Sequence, residues 1–150
     1  MFLSSLNVEE KKNFLELADH IIKCDDKANA EETETFDSYK HECDLIDYDI
    51  RNKSFDDVIN EMKGLKKEKL RIIILELMLI ILSDDNYVQD EKDHMDRIAN
   101  GWGFSESQMR RFERWARDFI DVIEDGYKLI TPKNREWARF LYDWKSDCKS

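Results

Sequence analysis

A chain of 150 residues is long enough to bury the core of one domain, and its four glycines and single proline provide few of the turns that a strand-based fold needs. Charged residues make up 39% of the chain and the formal net charge is -10, so no basic face for nucleic acid or for an anionic membrane is expected. An acidic surface is compatible with bound cations, with basic protein partners, or with solubility alone.

The cysteines and the N-terminal residues indicate a protein of the cytoplasm. The three cysteines, Cys24, Cys43 and Cys148, show no C-x-x-C spacing, and so few thiols are typical of reduced cytosolic proteins. The first residues lack the basic and apolar segments of an export signal. No apolar run approaches the roughly 20 residues that cross a bilayer, so no membrane insertion is expected.

The longest apolar run lies between Ile72 and Leu82, where Glu76 is the only charged residue. A helix that is apolar on every side must be covered on every side, so we expect a buried central helix surrounded by the other helices. Glu76 is expected at the rim of the core, with its carboxylate in water. If it is buried, Arg71 or Lys69 would be its ion-pair partner.

Helical periodicity and capping residues predict about seven helices in all, and no strand. In chain order these helices begin near Asn7, Glu31, Ser54, Lys66, Asp90, Ser105 and Thr131. The side chains of Asn7, Ser54 and Ser105 are suited to cap the helices that they precede. The four tryptophans fall at helical spacing in the second half and are interpreted as core residues. We therefore expect one compact all-α domain over residues 1–150.

Two acidic turns, each preceded by an apolar helix, align without gaps at an offset of 59 residues (84 − 25). The segment from Ile21 to Glu32 aligns with the segment from Ile80 to Glu91; both contain an Asp-Asp pair and end in Glu. Such a repeat predicts two helical hairpins related by pseudo-symmetry around the central helix. Aspartates at the end of a helix oppose its dipole, so they need solvent, a basic partner or a hard cation such as calcium or magnesium.

This pattern resembles the tellurite-resistance TerB-like family, in which an apolar helix leads through Ala-Asp-Gly or a close variant to a short linker and a Glu that opens the next helix. The segment from Asp93 to Met109, a helix with a small-residue break followed by a Ser-capped helix, is also similar to that family. The resemblance covers about residues 8–119 and leaves residues 131–148 as a C-terminal extension. Asp26 and Asp85 stand where the family usually has Gly.

The resemblance implies an all-helical, cytoplasmic, non-enzymatic domain associated with resistance to tellurite and other stresses. It also implies that acidic residues of the turns bind a divalent metal, and Asp25, Glu32, Asp84 and Glu91 occupy those positions. With the second aspartate of each turn, the predicted calcium or magnesium ligands are Asp25, Asp26, Glu32, Asp84, Asp85 and Glu91.

Other interpretations of the same features stay open. The acidic turns can be solvated helix ends, and the protein can be a metal-independent interaction module that binds another protein. In that case the partner would dock on the acidic face or on the C-terminal aromatic helix, which carries Trp137, Phe140, Leu141 and Trp144. A mimic of nucleic acid is a third interpretation, supported by the negative charge alone.

Two further metal patterns are incomplete, and no enzyme motif is present in the sequence. The spacing Glu91-x-x-His94 occurs in di-iron bundles, but the first repeat has Thr35 where a second histidine is needed. A zinc site could be formed by His20, Cys24, His41 and Cys43, but His41 and Cys43 are expected on different sides of their helix. The sequence contains no phosphate-binding glycine loop, serine elbow or motif-placed cysteine and histidine, which favours a protein without catalytic activity.

Overall fold

A computed structural model describes residues 1–24, 30–83 and 87–131, and for residues 30–33 it describes the backbone alone. A 3-10 helix, Leu3–Ser5, is followed by six α-helices in these ranges. They are α1 (Val8–Lys23), α2 (Ala30–Glu42), α3 (Phe55–Met62), α4 (Lys67–Leu82), α5 (Gln89–Trp102) and α6 (Glu106–Ile130). The all-α class is confirmed, since the described residues contain no strand. The predicted helix after Thr131 lies outside them.

The central element is α4, as its apolar composition predicts. Leu70 and nine of the ten residues from Ile73 to Leu82 are buried in it. It packs most extensively against α6, and also against α1 and the N-terminal 3-10 helix. Each fully buried Leu or Ile contributes about 1.5–3 kcal/mol through removal from water, so this helix supplies a large share of the hydrophobic stabilisation.

Glu76 lies inside the core, so the expected position at the rim is wrong. Its side chain is 0% exposed, and its Oε1 accepts a hydrogen bond of 2.7 Å from the N–H of Phe2. The same oxygen lies 3.0 Å from the α-amino group of Met1. In the described structure, the partners expected from the sequence, Arg71 and Lys69, do not pair with Glu76. The backbone groups of Met1 and Phe2 contact its carboxylate instead.

The three capping predictions are confirmed. The side-chain oxygens of Asn7, Ser54 and Ser105 accept hydrogen bonds from the N–H three residues later, at 2.9, 3.1 and 3.1 Å. Asn7 and Ser105 belong to full capping boxes, because the Glu10 and Gln108 side chains accept hydrogen bonds from the Asn7 and Ser105 N–H groups. Local side-chain chemistry therefore fixes where α1, α3 and α6 begin.

The helices α3 and α5 approach each other closely at Gly101. A Cβ at this position would overlap Cγ2 of Ile59, so only glycine fits. The neighbouring Trp102 is 3% exposed, and its indole Nε1 donates a hydrogen bond of 3.0 Å to the carbonyl of Ile59. The predicted core position of Trp102 is confirmed. Its contact with α3 depends on glycine at position 101, because a side chain there would keep the two helices apart.

The helix pairs α1/α2 and α4/α5 begin at positions 59 residues apart. α1 starts at Val8 and α4 at Lys67 (67 − 8), and each has 16 residues. α2 starts at Ala30 and α5 at Gln89 (89 − 30). The helix starts therefore recur at the offset at which the acidic turns align.

The ends of α1 and α4 also have the same geometry. Cys24 follows α1 with φ -70° and ψ -17°, and Ser83 follows α4 with φ -69° and ψ -20°. Cys24 Sγ donates to the Ile21 carbonyl at 3.0 Å, and Ser83 Oγ donates to the Ile80 carbonyl at 2.8 Å. The backbone therefore has the same conformation at the C-terminal ends of α1 and α4.

The ends of α2 and α5 match in the same way. Asp44 and Gly103 both adopt the left-handed conformation, with φ 58° and φ 76°. The next amides, of Leu45 and Phe104, donate to the carbonyl five residues before them at 2.8 and 2.9 Å. This is the hydrogen bond of a Schellman-type helix end, and it occurs at both positions.

A charge pair joins α1 to α4 where they pack together. Lys69 Nζ lies 2.8 and 3.0 Å from the two carboxylate oxygens of Glu10, and the two residues are themselves 59 positions apart. Burial would raise the pKa of Glu10, but the hydrogen bonds from the Asn7 amide and the Lys69 ammonium outweigh it. The pKa of Glu10 therefore lies below its usual value of 4.5.

Gly101→Ala is expected to lower the free energy of unfolding by about 1–3 kcal/mol, because its methyl group overlaps Ile59. Gly126→Ala is the matched control in α6, since nothing lies within 4 Å of its Cβ position. Because alanine is favoured over glycine in a helix by about 1 kcal/mol, this variant should gain stability. Urea unfolding followed by circular dichroism measures both, and equal effects would contradict the close packing of α5 on α3.

Glu10→Gln keeps an acceptor for the cap but removes the charge, so it should lower the free energy of unfolding by about 1 kcal/mol at neutral pH. Because the folded-state pKa of Glu10 is depressed, its contribution is complete above about pH 4.5 and is lost as the pH falls through the folded-state value. Urea unfolding at several pH values should show the difference shrinking below pH 4.5. The Glu10–Lys69 pair would be contradicted if the difference in free energy of unfolding between the wild type and Glu10→Gln did not change with pH. It would also be contradicted if Glu10→Gln had the same effect in a Lys69→Met background.

Candidate functional site

The second acidic turn contains the one predicted ligand whose side chain the structure describes, Glu91. It lies in the first turn of α5, where the sequence places it, and is 9% exposed. Its Oε1 accepts a hydrogen bond of 3.1 Å from the N–H of Val88. A carboxylate in the first turn of a helix is favoured by the helix dipole, and Glu91 occupies such a position at the start of α5.

The other five predicted ligands are outside the described side chains. Asp25, Asp26, Asp84 and Asp85 fall in segments 25–29 and 84–86, and Glu32 lies in α2 with its backbone alone described. The described residues do fix the points at which the chain enters these segments. Cys24 and Ser83 precede them with matching backbone angles, so both acidic segments start from equivalent helix ends.

The described surroundings of the second turn are negative. Tyr87, which is half-buried, follows segment 84–86 directly. Burial, together with the carboxylates of Glu113, Asp96 and Glu91, raises the pKa of Tyr87 to about 12, against the opposing effect of Arg117. Three carboxylates therefore act on one phenol beside this turn, and a potential of that sign favours a bound cation.

The histidine and cysteine alternatives are not assembled among the described side chains. His20 Nε2 lies 2.6 Å from the Lys53 carbonyl, and Cys24 donates to its own helix. His94 hydrogen-bonds through Nδ1 to the preceding helical turn, and its ring packs edge-on against Phe55 at 4.7 Å. Within residues 1–24, 34–83 and 87–131, no three His, Cys, Asp or Glu side chains meet at a point suited to a metal.

Several buried carboxylates were not predicted from the sequence. Glu16 is 1% exposed and accepts hydrogen bonds from the N–H of Arg51 at 2.8 and 3.3 Å, which fastens the segment before α3 to α1. Glu42 and Glu76 both contact the α-amino group of Met1, and each keeps one buried oxygen without a hydrogen bond. The signal for Glu16 and Glu76 was that each lies between two leucines in the sequence.

A cleft of about 510 Å³ opens between the N-terminal residues, α4 and α6. Among the residues that line it are Phe2, Arg71, Leu75, Arg111, Phe112 and Trp115. Trp115 is 37% exposed, so its predicted core position is wrong. Sequence reasoning missed the cleft because its residues come from three separate segments and no motif links them.

No protein-family model, curated protein or solved structure matches the chain. Among the helices described, none combines the length and the apolar character that a membrane crossing requires. The acidic turns of the sequence and the cleft are therefore the features on which a proposed function depends.

Proposed function

We propose that the protein is a non-enzymatic, TerB-like stress-response module that binds a divalent cation, calcium or magnesium, through its two acidic turns. The observation that carries this proposal is the match between α1–α2 and α4–α5: the helix starts recur 59 residues apart, and so do the ends of α1 and α4. Matching helices on both sides give the two acidic turns equivalent attachment points, and hence two similar sets of carboxylates.

The two hairpins are, in this proposal, copies of one unit related by an approximate two-fold axis between α1 and α4. In a two-fold arrangement, a residue close to the axis contacts the equivalent residue of the other copy. Glu10 and Lys69 are equivalent at the 59-residue offset and pair at 2.8 Å. Their contact supports the pseudo-symmetry independently of the helix bounds.

The proposed ligands are Asp25, Asp26, Glu32, Asp84, Asp85 and Glu91. Carboxylate oxygens are the groups that calcium and magnesium prefer. Glu91 supports this role most directly, because its cap holds the carboxylate in place beside an acidic segment. A cation would also offset the unfavourable position of the aspartates after α1 and α4, where the helix dipoles already end in negative charge.

A metal-independent interaction module is the second candidate, and an apolar surface on α6 favours it. Val122, Leu129 and Ile130 are 68%, 85% and 73% exposed. Apolar side chains grouped on an outer surface commonly mark a contact with another protein. The C-terminal residues Trp137 to Trp144, proposed as part of that contact, lie outside the described residues.

Thermal melts with calcium, magnesium, manganese and zinc test the cation proposal. A cation at about 100 times its dissociation constant stabilises the folded state by about 2.7 kcal/mol, which raises the melting temperature by roughly 5–10 °C in a domain of this size. The variants Asp84→Asn/Glu91→Gln and Asp25→Asn/Glu32→Gln should each reduce or abolish the rise. Glutamine at 91 keeps an acceptor for the Val88 cap, so the loss reports the charge.

Asp118→Asn/Asp121→Asn is the matched control, because it removes the same charge from exposed positions of α6. It should leave the cation-dependent rise intact. No rise with any ion, or an equal rise in all three variants, would contradict the cation site. Turn variants that melt higher than the wild type without any ion would show that the turns are strained acidic surface, and the interaction module would then be preferred.

A further inference from the structure

We infer that the cleft between the N-terminal residues, α4 and α6 is a binding site for a small organic carboxylic acid with an aromatic or aliphatic body. This site is separate from the acidic turns. Leu75, which lines the cleft, lies seven residues before Leu82 at the end of α4, roughly 10 Å along the helix. The inference therefore does not depend on a bound cation.

Two guanidinium groups give the cleft its charge. Arg71 of α4 and Arg111 of α6 both line it. Arg110 and Arg117, also on α6, are paired with glutamates four residues before them, at 3.8 and 3.3 Å. In the described part of the chain, no carboxylate forms an ion pair with Arg71 or Arg111. In a protein of net charge -10, two guanidinium groups at one cleft, without an ion pair in that part of the chain, create a local positive potential.

Guanidinium groups are suited to carboxylates. Each presents a planar fork of N–H donors that matches the two oxygens of a carboxylate, and such charge-assisted bonds are about twice as strong as neutral ones. Arg71 and Arg111 come from different helices, so an acid held by both would bridge α4 and α6. The cleft therefore selects for a negative group at its charged side.

Apart from Gln108, the remaining walls of the cleft are apolar and largely aromatic. The rings of Phe2 and Trp115 have centroids 5.9 Å apart, and Trp115 stacks on Phe119 at 5.4 Å with an interplanar angle of 19°. Leu75 and Phe112 add partly buried apolar surface. Because stacking already orients the indole of Trp115, a ligand that covers it loses little side-chain entropy.

The size of the cleft indicates a small molecule as its occupant. Its volume of about 510 Å³ falls within the range of about 300–1,000 Å³ that is usual for sites that take small organic ligands. A charged side and an apolar wall in one such space fit an amphipathic acid. An inorganic anion would leave the aromatic wall uncovered, and a neutral apolar molecule would leave both guanidinium groups unused.

Isothermal titration of the full chain with naphthoate and with naphthamide tests the inference, since the two probes share a shape and differ in charge. Naphthoate should bind at least about tenfold more tightly than naphthamide. Arg71→Gln and Arg111→Gln should each weaken naphthoate binding by about tenfold and leave naphthamide binding unchanged. Arg110→Gln is the matched control, because Arg110 is paired with Glu106 and does not line the cleft; it should bind naphthoate as the wild type does.

Equal affinity for the two probes, or no binding of naphthoate, would overturn the inference. An equal loss in Arg110→Gln would also overturn it, because the effect would then be general attraction to positive charge. If a blocked Asp-Trp dipeptide bound more tightly than naphthoate, the inference would also be overturned, and a protein partner would be the preferred ligand of the cleft. The titrations are run with a chelator, and Asp84→Asn/Glu91→Gln should bind naphthoate normally, so failure here is distinct from failure of the cation site.

Discussion

The structure depends on the burial of most side chains of α4. A helix without a polar stripe can be stable in water only when other elements cover it completely, so the positions of α1, α6 and the N-terminal 3-10 helix follow from it. Burial also removes the carboxylate of Glu76 from water, at a high cost unless it is paired. Met1 and Phe2 supply that pairing. The contact of Phe2 with Glu76 also places the Phe2 ring at the wall of the cleft. The pairing of Glu76 in the core and the wall of the proposed ligand site therefore depend on the same N-terminal residues.

The two acidic turns are not electrostatically equal, although the helices that lead to them match. The last turn of α1 contains His20 and Lys23, and Lys23 pairs with Asp19 at 3.1 Å. The last turn of α4 contains no basic residue. Beside the second turn, burial and nearby carboxylates raise the pKa of Tyr87 to about 12. Of the two proposed cation sites, the one after α4 therefore has the stronger negative potential and should bind first.

Features set by local chemistry could be predicted from the sequence, and features set by packing could not. The starts of α1 and α6 were predicted because Asn7 and Ser105 cap them within three residues of chain. The offset of 59 residues came from the acidic turns alone, and the starts of α1 and α4, and of α2 and α5, recur at that offset. The burial of Glu76 and the exposure of Trp115 were missed, because both depend on which segment lies opposite. The first residues cover Glu76, and in the described structure no element covers Trp115 fully.

The charges along α4 are compatible with both proposed sites, one for an anion near its start and one for a cation after its end. Most helices place acidic residues in the first turn and basic residues in the last, which offsets the macrodipole. In α4 this order is largely reversed: Lys66, Lys67 and Arg71 lie at its start beside one acidic residue, Glu68, and Asp84 and Asp85 follow its end in the sequence. These basic residues and the two aspartates add to the dipole. The same addition favours an anion near Arg71 and a cation after Ser83, which is the arrangement that the two proposed sites require.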